Sequence, residues 1–450
     1  MIIQKRPADM DSCLLTKDTV SSEVSQPCTF HPLVLDYLNT TFSSEQLSEI
    51  SCSLPLPPKN TTIRVNSLHY KTADVISNLK ALIGSQFNVT EHPILGDLIV
   101  VSGRRRELSD EGCLGRVVVD QKCGKAVLRG ADIFAPGIKG LPHLQAGSKV
   151  SVHVDLAQKC KKGEKNYDGS TVHIANGVLK LTRFDIFKNM VKSGVGVEIT
   201  ERRIELPSLN GILEEQMFLQ NLPSIVTSHV LDPQPGDHIL DMCSAPGGKT
   251  THIAQLMGDK GTVVALEKVQ TKVEKLKSNV AKQNLNCISV FKCDATLAFS
   301  EESDSLLKPP FGREVFDRIL LDPPCSAMGQ RPQLTNNLQL KEISTYPSYQ
   351  WCFVADAVKM LRYGGTFVYS TCTLPKQENE MMVARILRSF PEMRLVAAEP
   401  LLGQPGILVE GLSNDDVLKV QRFLPNSDLD SSVDVDTIGF FIAKFVKDKV

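Results

Sequence analysis

Five short stretches of almost unbroken hydrophobicity recur along the second half of the chain: HILDMC, GTVVALE, ISVFKCD, DRILLDPP and GGTFVYSTC. Runs of this length that lack polar alternation fit strands covered on both faces, as in a parallel sheet. Between them, KTTHIAQLM, KVEKLKSNVAKQN and YQWCFVADAVKMLR carry apolar residues at helical spacing. Strand and helix in alternation from about Pro207 onward predict a doubly wound α/β sheet. IGFFIAKFV supplies one more strand near the C-terminus, expected to be antiparallel.

The first half has a different texture. Residues 1–30 are polar and expected to be loose, and residues 31–110 predict an α+β lobe, with a strand in NTTIRV and a helix from Thr72. Residues 111–203 hold β-branched runs separated by glycine, including GRVVVD, KAVLRGADIFAPGI and GSKVSVHVD, which predict a small barrel or sandwich. Residues 204–450 form the α/β domain. Net charge over the whole chain is −1, but Arg104 to Lys192 carries 17 Lys and Arg against 9 Asp and Glu. A basic middle between acidic flanks points to a phosphate-bearing partner.

The N-terminus lacks the apolar core of a secretion signal, and no apolar run is long enough to span a bilayer. A soluble, intracellular, cytoplasmic protein is expected, without a membrane partner. The 12 cysteines include no Cys-x-x-Cys pair and no histidine partners at zinc spacing, so neither a disulfide framework nor a metal site is indicated. Most are expected to be reduced and buried.

Two places carry chemistry. In ILDMCSAPGGKTTHIAQL a strand runs through a glycine turn into a helix beginning near Lys249, and Gly247 and Gly248 let backbone approach a ligand at the strand's carboxyl edge. The motif is neither G-x-G-x-x-G nor a P-loop. The following strands end in Glu267, Asp294 and Asp322, acids suited to a ribose diol and an adenine amino group. Acids without a phosphate signature favour S-adenosylmethionine over a dinucleotide. The second place is a pair of thiols, Cys325 after Asp-Pro-Pro and Cys372 directly after the fifth strand, with Pro375 placed to open the next helix. A thiolate that adds to carbon 6 of cytosine makes carbon 5 nucleophilic, which is what methylation of that carbon requires.

DMCSAPGGKT, LLDPPCSAMGQRP and YSTCT together resemble the Sun-domain family of RNA cytosine-C5 methyltransferases, which uses two cysteines. IRVNSL resembles that family's N-terminal lobe, FLQNLPS its entry to the catalytic domain, and the insert with GKAVLRGADIFAPGI a PUA domain, as in the subfamily acting on transfer-RNA acceptor stems. The resemblance implies a class I methyltransferase sheet, with Cys372 as nucleophile and Cys325 as the product-releasing cysteine. It places the cofactor loop on Cys243, Ser244, Ala245, Pro246, Gly247, Gly248 and Lys249, and further cofactor acids on Glu267, Asp294 and Asp322. Asp322 would also face the cytosine ring nitrogen, and Lys249 would position the base. Glu267 and Asn221 each stand where the family more often has Asp. In the insert, Lys159, Lys161 and Lys162 are expected to meet phosphates, with Arg129 bonding and Phe134 stacking on unpaired RNA near a transfer-RNA 3′ end. Phe134 reads equally well as core.

Two other readings compete. Asp-Pro-Pro also resembles the motif of enzymes that methylate exocyclic amino groups, but the aromatic ring those enzymes place after it is replaced here by Cys325. A PUA-based RNA-binding protein with a decayed enzyme lobe is the other, against which the intact APGGK, acids and thiols argue.

Overall fold

The computed structural model describes residues 26–426 and 432–449. The expected loose segment 1–30 lies mostly outside the described residues. In its described part Gln26, Pro27 and Thr29 are exposed, while Cys28 is buried and its N–H donates to the Ser51 carbonyl.

The expected parallel strands form at His238–Asp241, Thr262–Glu267, Ile288–Lys292, Phe316–Leu321 and Leu361–Thr371. Taken in that order as first to fifth, they lie third, second, first, fourth, fifth across the sheet. Phe440–Lys447 then adds antiparallel to the fifth, and Met393–Val396 and Gln421–Phe423 pair with it. The continuous hydrophobicity has the expected cause, because a separate apolar cluster covers each face. Leu240, Val264, Ile319 and Phe367 pack to one side, and Ile239, Val263, Leu320 and Val368 to the other.

Ahead of this sheet, Asn60–Val65, Leu98–Ser102 and Asn88–Glu91 form an antiparallel sheet with the helix Thr72–Ile83. Two features depart from the expected division of the chain. Met217–Leu219, from beyond the β-rich insert, completes this sheet beside Asn60–Val65, and Ile204–Glu205 pairs with Arg104–Arg105. The helices Pro32–Asn39 and Ser44–Ser53 pack instead against Met328, Ile343 and Leu374 of the α/β domain. Amphipathic spacing fixes which face of a helix is buried but does not name what buries it.

The insert is a six-stranded sheet around its own core of Val117, Val119, Val150, Val152 and Ile174. Its expected all-strand texture fails at Gln121–Leu128, which is helical. Asp120 caps that helix by accepting from Cys123 N at 2.9 Å, and Val127 and Leu128 bury its inner face.

Contacts between the lobes aim at the glycine turn. Arg64, fully buried on the strand Asn60–Val65, donates to Gln255 and to Thr251 Oγ1 (2.8 Å) on the helix that follows the glycine turn. Asp97 accepts from Nε2 of His252 at 2.7 Å and of His229 at 3.0 Å. Burial pushes the His252 imidazole down to about 4, so it serves this clamp as a neutral donor. No helix among the described residues is long and apolar enough to cross a membrane.

Candidate active site

His238–Asp241 has the second strand on one side and the fourth on the other, so the strand order reverses at its carboxyl end. Doubly wound sheets open a crevice at that point. The turn that leaves it is fixed from three directions. The Ser244 N–H and hydroxyl both donate to the Leu266 carbonyl (3.0 and 2.8 Å), Asn279 Nδ2 donates to the Pro246 carbonyl (2.8 Å), and Thr250 Oγ1 donates to Asp241 Oδ2 (2.7 Å). The two glycines are not equivalent. Gly247 has φ +106°, and a Cβ on it would stand 2.6 Å from Leu276 Cδ1, whereas at Gly248 the nearest atom, Phe218 Cε1, is 3.3 Å away. The backbone requirement falls on Gly247, while the helix Gly248–Leu256 begins at Gly248 itself.

The three acids expected from the strand ends converge, and a fourth joins them. Burial first, and then the carboxylates of Asp241, Asp322, Glu267 and Asp294, push the Cys243 thiol well up, so Cys243 is an inert thiol in an acidic rim. Each acid is held locally. Glu267 accepts from Val269 N at 2.8 Å. Asp294 accepts from Thr296 Oγ1 at 2.8 Å and pairs with Lys268 at 2.7 Å. Asp241, which sequence reasoning missed, is buried with Oδ1 unpartnered, and burial raises its carboxyl to about 6. Its place at the tip of HILDMC, like that of the other three, was the signal available.

On the other side of the crevice, Asp322 takes Lys249 Nζ at 2.6 Å and Ser370 Oγ at 3.2 Å. Burial works against the charge on Lys249, but the Asp322 carboxylate outweighs it and the group is held as an ammonium, 5.3 Å from the centre of the Phe440 ring. The parallel pairing of Phe316–Leu321 with Leu361–Thr371 brings the two following loops together. Cys325 Sγ and Cys372 Sγ lie 3.4 Å apart, both partly accessible. The pair is asymmetric. The hydrogen bond with Cys325, followed more weakly by Gln330 and then Lys249, lowers the Cys372 thiol against the opposing effect of burial, while the same bond and burial raise Cys325 well above its ordinary value. The asymmetry favours thiolate character at Cys372 over Cys325.

Pro375 does not open a helix as expected. The next helix is Glu380–Ser389, and residues 376–379 form a turn with Glu378 and Asn379 fully enclosed. A cleft of about 400 Å³ runs from Lys249 and Asp322 past Phe218 and Gln220 to Arg129 of the insert. Arg129 is thus joined to the crevice, with Nη2 on the Arg331 carbonyl at 3.3 Å. Phe134 is 55% exposed, so it is not core, and it stands outside the cleft with Lys159, Lys161 and Lys162. Those lysines are exposed, and no carboxylate among the described residues pairs with them.

A parallel sheet with an antiparallel edge, a glycine turn at its reversal point and acids on successive strand tips defines the Rossmann-like methyltransferase class. The family described as 16S rRNA methyltransferase RsmB/F matches residues 228–446. The chain is 41% identical to mouse (Mus musculus) tRNA (cytosine(72)-C(5))-methyltransferase NSUN6 over 92% of its own length and 96% of the relative's. Against the human (Homo sapiens) protein of the same name, identity is 43% over 87% and 89%. The crystal structure of NSun6 from Pyrococcus horikoshii with SFG superposes with a TM-score of 0.78 at 31% identity, covering 92% of this chain and 97% of that one. The chain belongs to the Sun-domain family of RNA cytosine-C5 methyltransferases.

Proposed function

We propose that this protein methylates carbon 5 of a cytosine in the acceptor stem of transfer RNA, the position numbered 72 in the relatives' names, with S-adenosylmethionine as donor. The observation that carries this is the thiol pair at 3.4 Å beside the Lys249–Asp322 ion pair. An enzyme for exocyclic amino groups has no use for two thiols on one sheet edge, and a decayed enzyme would not keep them in contact beside an intact ion pair.

The residues fit the donor. S-adenosylmethionine is cationic at its sulfonium and amino groups, and the crevice offers four carboxylates, one with an unpartnered buried oxygen. Cys243 to Lys249 would hold it together with Glu267, Asp294 and Asp322, and when bound it supplies an electrophilic methyl group. The NSun6 structure was obtained with SFG, an analogue of it.

Cys372, as thiolate, forms the bond to carbon 6 of the cytosine, and the ring's electron pair moves toward carbon 5 and the ring nitrogen. Lys249 and Asp322 hold the base at that nitrogen and its neighbouring groups. After carbon 5 is methylated a base takes its proton, the electron pair of that C–H bond re-forms the carbon 5–carbon 6 double bond, and the Cys372–carbon 6 bond breaks with Cys372 leaving as thiolate. Cys325 stands beside that bond and assists its release.

Residues 111–203 act in this reading as a PUA domain that binds the transfer-RNA 3′ end, between the lobe of residues 31–110 and the catalytic domain of residues 204–450. Arg129 reaches the cleft, Phe134 stacks on an unpaired base, and Lys159, Lys161 and Lys162 meet phosphates. The free thiols at all eleven described cysteines suit a reducing cytoplasm. Only Cys28 among them is buried, fewer than expected from the sequence.

The test is methylation of transfer-RNA transcripts with S-adenosylmethionine, read by nucleoside mass spectrometry and bisulfite sequencing. Product at cytosine 72, lost when that base is changed to uracil, is the expected result, and N4-methylcytosine would overturn the reading. The insert has its own check. Lys161→Glu with Lys162→Glu should weaken transfer-RNA binding and flatten its dependence on salt by about one unit of log–log slope per lost phosphate contact, with cofactor affinity unchanged. An unaltered slope would remove these lysines from the interface.

A further inference from the structure

Glu378 lies outside every role assigned above, yet it is fully buried in a part of the site where a carboxylate needs a reason to be. Its Oε2 accepts from the Ser326 N–H at 3.0 Å and from Gln350 Nε2 at 2.8 Å, and its Oε1 accepts from Ser326 Oγ at 2.5 Å. Ser326 is the residue next to Cys325. Its hydroxyl also meets Thr373 Oγ1 at 2.5 Å, and Thr373 is the residue next to Cys372. Gln350 donates as well to the Pro324 carbonyl at 3.2 Å, and Tyr369 OH bonds the Glu378 carbonyl at 2.7 Å. One carboxylate therefore ties down the loop on both sides of Cys325 and links it to the segment carrying Cys372.

We propose that Glu378 is a positioning residue for product release: through Ser326 and Gln350 it holds the Cys325 loop so that the Cys325 sulfur stays against Cys372 while the covalent adduct breaks down. The inference rests on the reading of the two thiols given above. It concerns geometry more than charge. Among the influences on the Cys325 thiol, the bond to Cys372 and burial come before the Glu378 carboxylate. All three donors around Glu378 point at its oxygens. Glutamine can satisfy the same set, because its one oxygen can accept from Ser326 N and Gln350 while its amide donates to Ser326 Oγ, which then turns its proton toward Thr373.

The experiment uses the full chain with transfer-RNA transcript and S-adenosylmethionine, following turnover and the denaturation-resistant protein–RNA adduct together, with Cys325→Ala as reference. Glu378→Ala is expected to accumulate adduct and lose turnover by about tenfold, the scale of a hydrogen bond to a charged group, with the KM for S-adenosylmethionine unchanged. Glu378→Gln should return close to wild type, and Ser326→Ala should fall between. If Glu378→Ala does not fold, Ser326→Ala carries the test, and adduct above wild type supports the proposal. Lost turnover without adduct overturns it, and so does a Glu378→Gln protein that behaves like Glu378→Ala, since charge would then be what matters. Adduct in Cys325→Ala alone overturns the role of Glu378 only. No adduct in Cys325→Ala overturns the reading of the thiols, and this inference with it.

Discussion

Cys372→Ala is expected to yield neither methylated RNA nor any protein–RNA adduct, with turnover falling by a factor on the order of 10⁴ or more, the scale set by loss of an enzymic nucleophile. Cys325→Ala should behave differently. Attack and methylation remain available to it, so a denaturing gel should show an adduct through Cys372 building up with little turnover. A second effect follows from the asymmetry of the pair. The hydrogen bond from Cys325 is the largest influence lowering the Cys372 thiol, so its loss raises the pKa of Cys372. Less thiolate is then present at neutral pH, and adduct formation in Cys325→Ala should rise with pH over a range where the wild type has already levelled off. The double variant should show no adduct. Adduct in Cys372→Ala would exchange the two roles, and turnover in both single variants would end the covalent mechanism.

How much of this was legible depended on how far each signal is local. The parallel strands could be read because burial on both faces leaves an unbroken apolar run, and the acids could be placed because a strand end fixes which edge of the sheet they reach. Cys325 and Cys372 are 47 residues apart in sequence. They could be paired only because both follow strands of one parallel sheet. The opposite case is KQENE, a run of five polar residues in which Glu378, Asn379 and Glu380 are all fully buried. Their burial is compensated by partners from other elements, Ser326, Gln350, Thr371 and Arg422, and no periodicity records such partners. The helix Gln121–Leu128 was missed for a smaller reason. Gly124 and the β-branched Val127 look like turn and strand, while the Asp120 cap and the packing of Val127 outweigh that weak local preference.

Arg331 is the point where a single substitution should cost the fold most. It sits six residues beyond Cys325, with its side chain fully enclosed. Nε donates to the carbonyls of Ser53 (3.1 Å) and Leu56 (2.9 Å), and Nη1 to Asn426 O (3.0 Å), Thr437 O (2.8 Å) and Asp436 Oδ1 (2.7 Å). One guanidinium therefore joins the N-terminal helices to the C-terminal segment, and its own carbonyl receives Arg129 from the insert. Arg331→Met leaves the Asp436 carboxylate and several carbonyls buried without their partner, a loss of about 3–5 kcal/mol for a broken buried pair. For a cooperative unit of about 200 residues that is a fall on the order of 10 °C in the first thermal transition. Lysine should rescue little, because one ammonium cannot serve a fork that spans three segments. Arg331→Met combined with Asp436→Leu should recover part of the loss, since replacing both partners with apolar groups removes the orphaned charge. Thermal melting of the four proteins reads this directly. If Arg331→Met melts within about 2 °C of wild type, well inside what a lost buried pair produces, the segments hold together without the guanidinium. Because Asp436 and Thr437 also line the cleft that reaches Lys249, Arg331→Met should in addition raise the KM for transfer RNA at temperatures where it remains folded.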